Sequence, residues 1–170
     1  MTLPHPSTMD RDLFVTRYGG VFEHSPWIAE AAWEAGLGPE QDTADGLHAA
    51  LGSVFRAADH DRQLGVLCAH PDLAGRLAVA GGLTAESTAE QASAGLDLCT
   101  PEEFARFQDF NTRYVERFGF PFIMAVKGRS RAEILAAFER RIDHARDTEF
   151  ATALAEVEKI ALLRLKDLLP

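Results

Sequence analysis

Apolar residues recur every three or four positions along most of this chain, with polar residues between them. From Asp42 to about Ala58, for example, Leu47, Leu51 and Val54 keep this helical spacing. The same period marks the segments 10–18, 27–35, 59–69, 73–80, 102–118, 131–142 and 148–168. No run of alternating apolar and polar residues is long enough for a sheet. The pattern therefore predicts an all-α fold, a single-domain multi-helix bundle.

Start and stop signals support several of these helices. Thr100 with Glu103 and Ser130 with Glu133 have the spacing of capping boxes. Ser25 followed by a proline is typical of a helix start, with the serine as N-cap. Further boundaries are predicted from an N-cap at Asp10 and from glycines at 19–20, 36, 81–82 and 119.

One apolar segment has no helical period. Residues 120–126 contain two phenylalanines around Pro121, and the sequence predicts a short extended Phe-Pro-Phe segment. Extended backbone in a helical protein leaves donors and acceptors that need other partners. Another helix end, water or a ligand with amide groups could supply them, and core packing is the simplest explanation for the rings.

Composition and charge narrow the classes of function. The chain has 170 residues, which suits one domain, predicted over residues 10–170 after a polar tail at 1–9. Its net charge of −9 argues against a nucleic-acid or anionic membrane surface, since the one basic cluster, Lys127–Arg131, is short. No segment resembles a signal peptide or is long enough to span a bilayer. Cys68 and Cys99 have no disulfide or zinc spacing, so a cytoplasmic protein is predicted.

His70 is the first candidate for chemistry. It directly precedes Pro71, where the helical pattern of residues 59–69 stops. The carbonyl-rich C-terminal end of a helix favours a protonated imidazole, which suits a residue that transfers protons. A purely structural histidine at a helix end is the alternative.

Arg164 lies on the apolar stripe of the last helix. At about 100° per residue, it shares a face with Val157 and Ile160. A buried guanidinium needs a carboxylate or phosphate partner. The partner could come from the protein, as a buried ion pair, or from a ligand, in which case Arg164 is an anion clamp.

Ser87 and Glu90 allow two interpretations. If the helix begins at Ser87, the pair is a capping box. If it begins near Thr84, both side chains lie one turn apart on a common face and could reach a ligand. No nucleotide, metal or nucleophile motif occurs in the chain, so neither a metal nor an organic cofactor is predicted.

Four motifs follow one another in order along the chain. They are HPDL at 70–73, SxxEQ at 87–91, FNxRYxxRFGFPFI at 110–123 and EVxKIAxLRL at 156–165. Together they resemble the OHCU decarboxylase family (2-oxo-4-hydroxy-4-carboxy-5-ureidoimidazoline decarboxylase). The resemblance extends from about Phe14 to Leu168.

The resemblance implies a cofactor-free, all-helical homodimer that converts OHCU to (S)-allantoin and carbon dioxide in urate breakdown. His70 and Glu90 match the family's catalytic pair. The resemblance also implies substrate contacts from Pro71, Ser87, Gln91, Phe120, Phe122, Ile123 and Arg164. Two other functions use the same residues differently: an all-α ligand-binding or interaction module, and a ureide hydrolase on the same fold.

Overall fold

The computed structural model describes residues 3–75 and 81–169, and within these ranges the chain is helical without a β-strand. Eight α-helices fall in the described ranges. They are α1 (Arg11–Tyr18), α2 (Trp27–Glu34), α3 (Ala44–Ala57), α4 (His60–Ala69), α5 (Ala85–Ser93), α6 (Pro101–Phe118), α7 (Arg131–Arg141) and α8 (Arg146–Leu168). Short 3-10 turns cover Pro6–Thr8, Pro39–Asp42 and Leu96–Leu98. The predicted all-α fold is confirmed.

The chain divides into two compact units. The first comprises Met1–Ala69 with Val157–Pro170, and the second comprises His70–Glu156. Helix α8 begins in the second unit and ends in the first. The prediction of one domain over residues 10–170 stays a prediction.

In the first unit, the C-terminal half of α8 is bound to α3. Arg56 donates two hydrogen bonds to the Glu158 carboxylate, at 2.6 and 2.8 Å. A ring nitrogen of His48 lies 2.9 Å from the Glu158 carbonyl oxygen. A bidentate guanidinium–carboxylate pair fixes direction as well as distance, so it sets the rotation of α8 against α3. The core of this unit contains Phe14, Tyr18, Phe22, Ile28, Leu47, Leu51 and Phe55.

In the second unit, aromatic side chains form the core. The rings of Phe122 and Phe138 stack with centroids 3.7 Å apart, and Phe110 stacks on Phe138 at 5.3 Å. Tyr114 contacts Phe122 edge-on at 5.4 Å. Each ring removes a large apolar area from water, and edge or offset contacts add to that gain. The segment after α6 is thereby packed between the rings of α6 and α7.

Most predicted helix boundaries are confirmed. Both capping boxes are present: the Thr100 and Ser130 hydroxyls accept from the backbone N–H groups of Glu103 and Glu133, whose carboxylates accept in return. These backbone hydrogen bonds hold the pKa of both glutamates below the usual range. Gly119 ends α6 with a φ of 80°, a conformation that costs glycine little.

The N-cap predicted at Ser25 is wrong. Its hydroxyl donates to the Glu23 carbonyl oxygen at 2.9 Å instead of accepting from the first turn of α2. Pro26 occupies the cap position without a side-chain bond. Serine hydroxyls bond to neighbouring backbone in turns as readily as in caps. Here the Ser25 hydroxyl bonds to the buried turn at Glu23, so it does not cap α2.

In the stretch predicted as a tail, the Ser7 backbone N–H and hydroxyl both donate to Asp42 at 2.8 Å, so this part is anchored. Of the helix predicted over 73–80, positions 76–80 lie outside the described residues, and Leu73 and Ala74 form a turn.

No helix in the described ranges is long and apolar enough to cross a membrane.

The Ser130 cap gives a test of the local energetics. Ser130→Ala removes the acceptor for the Glu133 N–H, so we expect the free energy of unfolding to fall by about 1 kcal/mol. Ser53→Ala is the matched control, because Ser53 is exposed in the interior of α3, where alanine is the better helix former. Urea unfolding monitored by circular dichroism compares the two. Equal midpoints would contradict the capping role.

Candidate functional site

His70 lies where the sequence analysis expected it. Helix α4 ends at Ala69, and His70 follows with a bend in the backbone before Pro71. His70 is 8% exposed, and its Nε2 atom is buried. A buried imidazole is shielded from bulk water, which favours controlled proton transfer.

Gln91 holds the loop that follows His70. Its side-chain oxygen accepts from the Ala74 backbone N–H at 3.0 Å, and its side-chain nitrogen donates to the Asp72 carbonyl at 3.2 Å. Ala74 has a φ of 50°, a left-handed conformation that costs a non-glycine residue about 1–2 kcal/mol. The hydrogen bond that the Ala74 N–H donates to Gln91 helps to offset this cost. Gln91 is predicted as a substrate contact, and in the structure its side chain binds the backbone of this loop.

Two more carboxamides, both from α6, bind the same loop. The side-chain nitrogen of Gln108 donates to the Ala74 carbonyl at 2.8 Å, and that of Asn111 donates to the Leu73 carbonyl at 2.9 Å. With Gln91 they form the carboxamide cradle, defined here as Gln91, Gln108 and Asn111. The cradle supplies the hydrogen bonds that a helix or strand would otherwise give to residues 72–74.

The alternative with a helix start near Thr84 is correct for Ser87 and Glu90. Thr84 is the N-cap of α5, and its hydroxyl accepts from the Ser87 backbone N–H at 3.2 Å. The Ser87 side chain is therefore not the cap, and it is buried within the second unit. Glu90, half-buried, and Gln91, buried, lie one turn later on the same face. This face of α5 presents three of the predicted site residues together.

The Phe-Pro-Phe segment is confirmed as non-helical. Phe120, Phe122 and Ile123 are all buried. The backbone partner of Ile123 is a protein side chain, since its carbonyl accepts from Arg141 at 2.8 Å. An arginine side chain thus takes the place of the helix end, water or ligand that the sequence suggests for such groups.

Arg164 belongs to the first unit and has a carboxylate partner there. Its guanidinium lies 2.8 Å from the Glu23 carboxylate, and the same nitrogen donates to the Gly20 carbonyl at 3.3 Å. Arg164 is 5% exposed and Glu23 is 1% exposed. The buried ion pair considered in the sequence analysis is present, and the Glu23 carboxylate orients the guanidinium.

The second unit also contains a cavity of about 540 Å³. Its described lining includes Ala74, Thr88, Gln91, Cys99 and Phe104. Gln91 is the only predicted site residue in that described lining. The cavity therefore borders the carboxamide cradle, but the predicted site residues do not define it.

Four residues at these positions are not predicted from the sequence: Glu23, Gln108, Asn111 and Arg141. A usable signal existed for two of them. Asn111 falls on the apolar stripe of Phe107, Tyr114 and Phe118, and Arg141 follows Ile134 and Phe138 at helical spacing. A polar residue on an apolar stripe, the signal that identified Arg164, applies equally to these two positions.

The Asp72 carboxyl offers a pH-dependent test of this loop. Burial raises its pKa above the ordinary value, so ionised Asp72 destabilises the folded protein above that raised pKa. Asp72→Asn should therefore raise the melting temperature at neutral pH. The difference should vanish as the pH falls below the ordinary aspartate pKa of about 4, where both side chains are neutral. Calorimetry between pH 3.5 and 7 measures it, and a constant difference would contradict the assignment.

Comparison with known proteins gives consistent matches. A family model described as OHCU decarboxylase matches residues 7–166. Two curated relatives are 2-oxo-4-hydroxy-4-carboxy-5-ureidoimidazoline decarboxylases. That of Halalkalicoccus jeotgali is 45% identical over 99% of this chain and 92% of its own length. The decarboxylase of Haloferax volcanii is 44% identical over 98% of this chain and 95% of its own length.

Two solved structures share the fold. A crystal structure of (S)-allantoin synthase has a TM-score of 0.76 and 30% identity over 97% of this chain, which spans about half of that longer chain (52%). A crystal structure of OHCU decarboxylase in the presence of (S)-allantoin has a TM-score of 0.67 over 95% of this chain and 99% of that one. Its 21% identity supports the fold alone. The family match across residues 7–166, together with relatives of this identity and coverage, shows that the chain belongs to the OHCU decarboxylase family.

Proposed function

We propose that this chain catalyses the decarboxylation of OHCU to (S)-allantoin and carbon dioxide, a step of urate breakdown. The observation that carries the proposal is the family match over residues 7–166, which spans every predicted site residue. The enclosed imidazole of His70, at the end of α4 and next to the loop held by the carboxamide cradle, is consistent with it.

The substrate carries its own electron sink. In OHCU the carboxylate is attached to a carbon that also bears a hydroxyl and lies next to a ring C=N bond. When the carbon–carbon bond to the carboxylate breaks, its electron pair forms a new ring C=C bond and the C=N pair moves to nitrogen. Loss of the hydroxyl proton then forms the carbonyl, and protons added to the ring nitrogen and to C5 give allantoin. The protein has to orient the scissile bond and control these proton transfers.

His70 and Glu90 are proposed to carry those proton transfers. His70 would act as the general acid/base for the 4-hydroxyl and C5, and Glu90 would bind either the imidazole or the substrate's hydroxyl or ureido group. The buried His70 ring suits this role because an enclosed acid/base does not exchange protons freely with bulk water. Protonation from one fixed position reaches one face of C5, which accounts for a single enantiomer.

Substrate binding is proposed for Pro71, Ser87, Gln91, Arg164 and the segment Phe120, Phe122 and Ile123. Ser87 and Gln91 lie on the face of α5 that also carries Glu90. Arg164 would stabilise negative charge that develops on the ring, since a grip on the departing carboxylate alone would favour the ground state. Its ion pair with Glu23 keeps the guanidinium oriented before substrate arrives.

A homodimer in the cytoplasm completes the proposal. The homodimer comes from the family resemblance, and the location from the sequence, where the two cysteines have no disulfide spacing. Sedimentation equilibrium of the purified chain tests the homodimer, and a monomer at micromolar concentration would contradict it.

The activity assay generates OHCU from urate with upstream enzymes and follows optical rotation after this protein is added. We expect faster decay than in buffer and an excess of (S)-allantoin. Consumption of OHCU without release of carbon dioxide would indicate a ureide hydrolase instead. No acceleration and racemic allantoin would exclude the decarboxylase and leave a binding module.

The role of His70 predicts a large loss on mutation. His70→Ala removes the acid/base, so kcat should fall by roughly 10²–10⁴ while the far-UV circular dichroism stays unchanged. His60→Ala is the control, because His60 begins α4, the helix that ends just before His70, and its side chain is 69% exposed. An active His70→Ala protein would exclude the acid/base assignment.

A further inference from the structure

The segment from Phe120 to Ile123 depends on side chains for its position. It lies between α6 and α7 and has neither helical nor strand structure. All four of its residues are buried, and a buried carbonyl without a partner costs about 1–3 kcal/mol. Arg141, in the last turn of α7, donates to the Ile123 carbonyl at 2.8 Å.

Arg141 also contacts the neighbouring ring of this segment. Its guanidinium carbon lies 4.2 Å from the centroid of the Phe122 ring, within the range of a cation–π interaction. One side chain therefore holds both the backbone at Ile123 and the side chain at Phe122. A planar guanidinium can do this because its donors point in fixed directions and its face remains available for stacking.

Glu149 fixes the guanidinium in turn. The Arg141 Nε donates to a Glu149 carboxylate oxygen at 2.6 Å, and the Tyr114 hydroxyl donates to the same oxygen at 2.6 Å. A ring nitrogen of His144 lies 3.1 Å from the other oxygen. Glu149 is 0% exposed, so these contacts replace its water shell.

The hydroxyl of Tyr114 is a permanent donor in this cluster. Burial, and then the hydrogen bond and charge of Glu149, raise the pKa of Tyr114 well above its ordinary value. The phenol consequently stays protonated over the whole range in which an enzyme is assayed. The geometry of the Arg141–Glu149 pair is therefore independent of Tyr114 ionisation.

We propose that Arg141, held by Glu149 and Tyr114, is a positioning residue that sets the Phe120–Ile123 segment for substrate binding. The inference rests on the proposed function, in which this segment is part of the binding site for OHCU. Arg141 acts through the segment, since its own contacts are to the Ile123 carbonyl, the Phe122 ring and the Glu149 carboxylate.

Arg141→Lys tests this role while it keeps the positive charge. One ammonium group cannot reproduce the fork that bonds Glu149 and the Ile123 carbonyl together. A shift of the segment by about 1 Å should lower kcat/KM roughly 10²-fold. We expect a higher KM and a lower enantiomeric excess of (S)-allantoin, because a loosely held ring exposes both faces of C5 to protonation.

Arg131→Lys is the matched control. Arg131 has the same two kinds of partner, the Glu103 carboxylate at 2.9 Å and the Gly95 carbonyl at 2.9 Å, but neither partner belongs to the Phe120–Ile123 segment. We expect its KM and enantiomeric excess to match those of the unmodified chain. A change in Arg131→Lys equal to that in Arg141→Lys would overturn the proposal.

The readouts separate positioning from stability. A purely structural role would reduce the folded fraction and hence the apparent kcat, with KM and enantiomeric excess unchanged, and that result would refute the proposal. If Arg141→Lys does not fold, Tyr114→Phe replaces it, since it removes one donor to Glu149 and retains both charges. Wild-type KM and enantiomeric excess in folded Tyr114→Phe would then be the refuting result. An inactive unmodified chain would instead refute the decarboxylase function.

Discussion

The second unit is organised around one buried carboxylate. Glu149, in the first turn of α8, accepts hydrogen bonds from Tyr114 of α6 and Arg141 of α7. A ring nitrogen of His144, in the connection between α7 and α8, lies 3.1 Å from the same carboxylate. Removing a carboxylate from water costs several kcal/mol unless its oxygens are fully matched by donors. A small rotation of any contributing helix would break one of these bonds. The carboxylate therefore fixes three helices together, and through Arg141 it fixes the segment that follows α6.

The irregular segments follow a common rule. At residues 72–74 the backbone is bonded by Gln91, Gln108 and Asn111, and at Ile123 it is bonded by Arg141. Backbone in the interior of a helix is already saturated by its own hydrogen bonds, so backbone groups that bind a ligand come from irregular segments or from helix ends. Such backbone is stable in a core only if side chains bind part of it. The residues proposed to bind substrate and the residues that hold the irregular segments are therefore neighbours in each case.

The fold was largely predictable from the sequence, and the site only in part. Helical periodicity and the capping boxes at Thr100 and Ser130 are local signals, and the structure confirms them. The partner that a polar side chain takes does not follow from such local patterns. The Ser25 hydroxyl bonds to the Glu23 carbonyl, two residues earlier, instead of capping α2, and the partner of Arg164 lies far from it in sequence, also at Glu23. Helical spacing identifies a buried polar residue, but only the tertiary fold determines what that residue binds.

The buried ion pairs are better explained by orientation than by stability. Replacing such a pair with apolar residues of similar volume is often neutral or stabilising, so stability alone does not explain Arg141–Glu149 or Glu23–Arg164. What a pair provides that apolar packing cannot is direction, because a guanidinium fork aligns with its acceptors along fixed lines. The Arg141 guanidinium, aligned by Glu149, in turn donates to the Ile123 carbonyl and lies over the Phe122 ring. A reaction whose substrate supplies its own electron sink depends on orientation above all, and a rigidly aligned guanidinium meets that requirement.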